Sequence, residues 1–127
     1  MVVIDTSALV EALLVAGPAR GRLATDSLQA PELIDAELLS VLRRLVLAGH
    51  LLESHALESL AAANRLGLCR HSSRALWPRA WELRTNLSAY DALYVALAEQ
   101  LDAPLLTADA RLARAPGLRC CVELIEG

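Results

Sequence analysis

The sequence predicts an α/β fold: a three-layer α/β/α sandwich around a central, mostly parallel sheet of about five short strands. Three observations carry that expectation. Short apolar runs alternate with longer segments of helical periodicity, the pattern of strand–helix–strand units. The first run, Met1-Val2-Val3-Ile4, is β-branched and uninterrupted, as suits a strand buried on both faces. The 127 residues are 55% hydrophobic, enough for one domain (1–127) with one core, and no repeat, linker or low-complexity tract divides them.

The elements follow in order. After the strand at 1–4, Thr6 and Ser7 are placed to cap a helix at 7–15 that Gly17-Pro18 stops. A short helix at 19–25 precedes a brief strand at 27–30. Pro31 suits the first turn of a helix at 32–48, closed by Gly49. Ser54 can cap a helix at 55–66 that Gly67 ends, and 68–71 is a weak third strand. A helix at 74–84 holds Pro78 in its first turns, and Asn86-Leu87-Ser88 breaks the pattern and caps 89–101. Pro104 precedes a strand at 105–107, a short helix at 110–114 ends at Pro116-Gly117, and 119–125 is the last strand.

Composition excludes several classes. The apolar run around 12–19 is broken by Gly17-Pro18 and falls short of the roughly 20 residues a membrane span needs. With no basic start and Asp5 inside what would be an apolar signal core, no export signal is read and a cytoplasmic location is expected. Three cysteines, two of them adjacent, form no disulfide framework and are expected in or near the core. A net charge of -3 makes the chain no general magnet for nucleic acid. All 12 basic residues are Arg, so a mechanism that needs Lys is excluded. The apolar content leaves an excess over the core, which fits a partner surface such as a homodimer interface. Trp77 and Trp81, four apart, form one stripe expected in the core or on that interface.

Four acids stand out, each with a structural alternative. Asp5 falls where the first strand stops and is either a helix cap or a ligand at the sheet's carboxyl edge. Glu37 has Leu33, Ile34 and Val41 as helical neighbours, so it borders the buried face or pairs with Arg44. Asp91 completes a capping-box pattern with Ser88 and lies beside an apolar stripe. Asp109 can cap the short helix after it, yet it repeats the strand-then-acid arrangement of Asp5. Two of these acids come from strand ends and two from early helix turns that begin at the same edge. Converging carboxylates repel unless a proton or cation intervenes, and oxygen ligands of this kind suit Mg²⁺ or Mn²⁺.

The stretches VVIDTSALVE, APELIDAELLSVLRRL, RAWELRTNLSAYDALYVALAE and LLTADARLARA resemble the PIN-domain ribonucleases, specifically the VapC-type toxins of bacterial toxin–antitoxin modules. The likeness runs through essentially the whole chain, in order. It implies that Asp5, Glu37, Asp91 and Asp109 form an acidic quartet holding one or two Mg²⁺ or Mn²⁺ ions, with Ser7 and Thr107 as supporting hydroxyls. It also implies cleavage of single-stranded or looped RNA, a homodimer, and inhibition by a small VapB-type antitoxin. Some relatives carry a further acid after the last one, where this chain has Ala110-Arg111-Leu112. Arg111 and Arg114 are close enough in sequence to Asp109 to hold a phosphate, and Arg43, Arg44, Arg74, Arg79 and Arg84 could line an RNA path. A PIN nuclease of RNA processing, or a degenerate PIN domain that binds protein, are the alternatives. A phospho-acceptor role for Asp5 lacks the Lys of receiver domains and the second Asp of haloacid-dehalogenase-like phosphatases, where Ser7 stands.

Overall fold

In a computed structural model, which describes residues 1–125, five strands form one sheet: β1 (Val2–Ile4), β2 (Leu28–Pro31), β3 (Cys69–His71), β4 (Leu105–Thr107) and β5 (Val122–Leu124). Their order is β3-β2-β1-β4-β5, and every neighbouring pair is parallel. Parallel neighbours cannot be joined by hairpins, so helices make the crossovers. These are α1 (Thr6–Leu14), α2 (Pro18–Thr25), α3 (Ile34–Leu47), α4 (Glu53–Arg65), α5 (Trp77–Glu82, after a 3₁₀ turn at Arg74–Leu76), α6 (Ala89–Leu101) and α7 (Ala110–Ala113). β1 is central, paired on both edges, and its three residues are wholly buried. The α6 helix packs on β1, β2 and β4, and its small Ala92, Ala96 and Ala98 are buried against them with Val95 and Leu97. A helix apolar on most of its circumference belongs inside, which is where α6 lies.

Progression through the sheet runs outward from β1 to β2 and β3, then returns to β4 on the other side of β1. The direction therefore reverses between β1 and β4. In open parallel sheets the crevice beyond the strand ends at such a reversal is where ligands bind.

Several boundaries differ from the sequence expectation, each for a local reason. Asp5 itself is the N-cap of α1, its carboxylate accepting from the Ala8 N–H, so Thr6 and Ser7 lie inside the first turn. Pro31 ends β2 instead of opening the helix; the ladder bond at that level comes from Glu32, whose N–H donates to the His71 carbonyl. Ser54 does not cap α4, which begins two residues earlier than expected, at Glu53, with Leu52 as its cap. The expected helix at 74–84 divides because Pro78 can only sit in a first turn, and α5 starts at Trp77. The last strand shrinks to Val122–Leu124. Cys69 and Cys121 are exposed and Cys120 only partly buried, because they stand on or just before the two edge strands. Trp77 and Trp81 are 61% and 68% exposed, which removes them from the core.

Candidate active site

The carboxyl ends of β1 and β4 are joined through side-chain oxygens. The Asp5 N–H donates to the Leu106 carbonyl at 3.2 Å, which carries the pairing one step past β1. One oxygen of the Asp5 carboxylate accepts from the Ser7 hydroxyl (2.7 Å) and the Ala8 N–H (2.9 Å); the other accepts from the Thr107 hydroxyl. Ser7 Oγ in turn accepts from the Ala108 N–H at 2.9 Å, and Thr107 Oγ1 from the Asp109 N–H at 3.0 Å. Asp5 is 5% exposed and Thr107 fully buried. Burial drives the Asp5 carboxyl above its ordinary acidity range, outweighing the hydrogen bonds from Thr107, Ser7 and Ala8, and the charge of Asp91 pushes the same way.

Glu37 sits in the first turn of α3 and is held from two other helices. Its Oε1 accepts from the Thr6 hydroxyl on α1 (2.8 Å) and from the Tyr94 hydroxyl on α6 (2.6 Å). The two hydroxyl oxygens are 2.9 Å apart, closing a three-way cluster. Burial, followed by donation to Glu37, raises the Tyr94 hydroxyl's pKa and keeps it a donor. The Glu37–Arg44 pairing that helical spacing allowed is not formed. Tyr94 is the positioning residue that sequence reasoning missed, and Thr6, read there as a helix cap beside Asp5, holds Glu37 instead. A Tyr three residues after Asp91 in an otherwise apolar stripe was a usable signal, since a buried phenol needs a polar partner.

Asp91 and Asp109 face a cleft of about 360 Å³ that Asn86, Ser88 and Arg111 also line. Ser88 caps α6 as its pattern predicts, its Oγ accepting from the Asp91 N–H at 3.2 Å. That cap leaves the Asp91 carboxylate at the cleft, where burial raises its pKa, assisted by the charges of Asp109 and Glu37. Asp109 caps α7 through the Arg111 N–H at 2.9 Å. The Arg111 guanidinium stands 3.6 Å from the same carboxylate on a side chain 88% exposed, so it neutralises little. Arg114 is exposed at the end of α7. Arg79 is paired with Glu99 and Glu82, whereas Arg84 is exposed and lies over the exposed Trp81 ring.

The four acids thus form one electrostatic group at the strand-order reversal: Asp91 is acted on by Glu37 and Asp109, and Asp5 by Asp91. Among the described residues no three His, Cys, Asp or Glu side chains stand close enough to enclose an ion. The Asp5 oxygens are turned to Ser7, Ala8 and Thr107, and one Glu37 oxygen to Thr6 and Tyr94. The donor set is nevertheless all oxygen and short of positive charge, the chemistry of a hard divalent cation site.

An α/β sheet with an acidic cleft at its reversal is the architecture of PIN domains, and the PIN domain family matches residues 2–118; the chain belongs to that family. Within it, the chain belongs with the VapC ribonucleases. It is 46% identical over 129 residues to ribonuclease VapC1 of Mycobacterium tuberculosis, covering 97% of this chain and 96% of that one. To ribonuclease VapC9 of the same species it is 42% identical over 125 residues, covering 98% of each. Among solved structures it is similar in fold to VapBC2 from Rickettsia felis bound to a promoter DNA fragment. That match has a TM-score of 0.72 at 17% identity and covers 98% of each chain. It also matches the sarcin–ricin-loop-cleaving toxin VapC20 of M. tuberculosis, with TM-score 0.62 at 17% identity over 89% of this chain and 93% of that one.

Proposed function

We propose that this chain is a divalent-metal-dependent endoribonuclease that hydrolyses phosphodiester bonds of single-stranded or looped RNA as the toxin of a toxin–antitoxin pair. The observation that carries the reading is a group of four carboxylates at the strand-order reversal in which Asp91 feels the charge of Glu37 and Asp109 and acts on Asp5, two of them with raised pKa, supplied with one loosely placed guanidinium. Kinship with proteins named VapC ribonucleases supports it. Asp5, Glu37, Asp91 and Asp109 would hold one or two Mg²⁺ or Mn²⁺ ions. When bound, such an ion polarises a phosphoryl oxygen and makes water nucleophilic near neutral pH. Ser7 and Thr107 hold the Asp5 carboxylate and Thr6 and Tyr94 hold Glu37, so taking up the ion would draw the acids closer together while these hydroxyls orient them. Arg111, exposed at the cleft rim, would meet a phosphate beside the cut, with Arg114 one turn further along.

The exposed Trp77 and Trp81 support a homodimer surface, and the fold shared with VapBC2 supports a small VapB-type antitoxin as partner. No described helix is long and apolar enough to cross a membrane. Incubating the purified chain with a mixed-sequence single-stranded RNA tests the enzyme. Cleavage should require added Mg²⁺ or Mn²⁺, stop with EDTA, and vanish in Asp91→Asn; a folded Asp91→Asn that cuts as well as the parent removes the site. Growth arrest on induction, relieved by the product of an adjacent small gene, tests the toxin role separately.

A further inference from the structure

A groove of about 370 Å³ opens beside Glu37, between α1 and α3, and nothing in the nuclease reading uses its outer half. Its α3 wall is the stripe Glu37, Ser40, Val41 and Arg44, spaced i, i+3, i+4, i+7 on one helix face. The α1 wall contributes Val10 and Glu11. The groove therefore begins at a site acid, passes over two valines, and ends between a guanidinium and a carboxylate. Arg44 is exposed and makes no ion pair or side-chain hydrogen bond among the described residues; it stands two helical turns from Glu37, and Glu11 lies beyond ion-pair distance. A cation in the last turn of a helix is favoured by the dipole. The dipole does not explain why this one lines the groove face and stays without a partner.

The geometry points to a subsite for one unpaired nucleotide next to the scissile phosphate, with Arg44 on the neighbouring phosphate. This inference rests on the nuclease reading of the acidic quartet. Seven residues of α3 separate Glu37 from Arg44, a rise of roughly 10 Å at 1.5 Å per residue, on the order of a nucleotide step plus the reach of the side chain. The volume falls within the range of small-ligand sites. Val10 and Val41 offer an apolar surface to a base or ribose face. Glu11, an acceptor-only carboxylate, suits a base edge that presents donors. The subsite would contribute binding that is the same in ground and transition states, so its loss should appear in KM.

The test measures binding of a fluorescein-labelled ten-nucleotide single-stranded RNA by anisotropy, in the cleavage-dead Asp91→Asn background, and steady-state cleavage in the active chain. Arg44→Ala should weaken binding five- to twentyfold (on the order of one lost charged phosphate contact), raise KM by a similar factor and leave kcat within about twofold. The slope of log affinity against log salt should fall by about 0.7, the loss of one phosphate contact on a single strand. Arg44→Lys should recover part of the binding and the full salt slope, whereas loss through misfolding would not be rescued. An Arg44→Ala chain with parental binding, KM and salt slope overturns the subsite and leaves the nuclease reading standing if Asp91→Asn is inactive. A parent chain that neither binds nor cuts the RNA overturns both.

Discussion

Two carboxylates are withdrawn from solvent at opposite ends of the sheet, and their surroundings move their acidity in opposite directions. Glu99, near the carboxyl end of α6, loses solvation by burial. The Arg79 guanidinium (Nε 2.6 Å, Nη2 3.3 Å) and the Arg119 N–H (2.8 Å) more than compensate, and its pKa falls. Asp5 is likewise buried and receives three hydrogen bonds, all from neutral donors, and its pKa rises. The difference separates an acid whose counter-charge is internal from one whose hydrogen-bond partners supply none. Glu99 is a finished structural ion pair that ties α6 to α5 and to the chain before β5. Asp5 and its neighbours are polar and short of positive charge, which fits the ion site proposed above.

Breaking the imported half of this comparison should have the largest consequence. Asp91→Asn, or EDTA on the parent, should reduce RNA cleavage by about a thousandfold, corresponding to roughly 4 kcal/mol of lost transition-state stabilisation. Single-turnover cleavage assays decide it. Next in size is the effect of the ion on the fold. Mn²⁺ at a hundred times its dissociation constant should stabilise the parent by about 2.7 kcal/mol. It should leave Asp5→Asn at its metal-free melting temperature; an equal shift in both would place the ion elsewhere.

Glu99→Gln sharpens the contrast from the structural side. It should destabilise the fold by about 2 kcal/mol, the order of a charge-assisted hydrogen-bond pair, without changing the metal concentration at half-maximal cleavage. The two acids also predict opposite pH trends in metal-free protein. Glu99, with a lowered folded pKa, contributes stability above its unfolded pKa and loses it as pH falls through the folded one. Asp5 and Asp91, with raised folded pKa values, contribute stability below their unfolded pKa that disappears as pH rises through the folded values. Asp5→Asn, which keeps a capping side chain, should therefore melt higher than the parent at pH 7, and the gap should close as pH falls toward 4. A gap independent of pH would mean that the Asp5 charge is not the cause.

The smallest effect is at the clamp on Glu37. Tyr94→Phe removes one hydrogen bond and should cost about 1 kcal/mol in a urea melt. Because Thr6 still holds the same oxygen, the Mn²⁺ affinity should weaken by less than tenfold, read by calorimetry.

Much of this protein was legible residue by residue. The β-branched start at Val2, the Ser88 cap and Asp109 before α7 are signalled by neighbours one to four positions away, and the structure keeps them. Local rules misplaced the start of α4, where Ser54 offered a good cap that packing did not use, and ran one helix through 74–84 where the structure has a 3₁₀ turn and then α5. The burial of the cysteines and tryptophans was not legible, because it depends on which strands are at the edge and which helix face meets no neighbour.

The sequence by itself determined the chemistry on offer: short buried strands, acids placed at their ends, hydroxyls at Ser7 and Thr107, and a basic complement made only of Arg. Tertiary structure alone decided the pairings. Glu37 had Arg44 two turns away on its own helix, and it bonds instead to Thr6, 31 residues earlier, and Tyr94, 57 residues later. Asp5 is held by Thr107 across 102 residues. Hydrogen bonds are lost within a few tenths of an ångström beyond their reach, so which partner wins is a matter of the tertiary packing that sets β1 beside β4 and α1 and α6 against α3, and no local pattern encodes that distance.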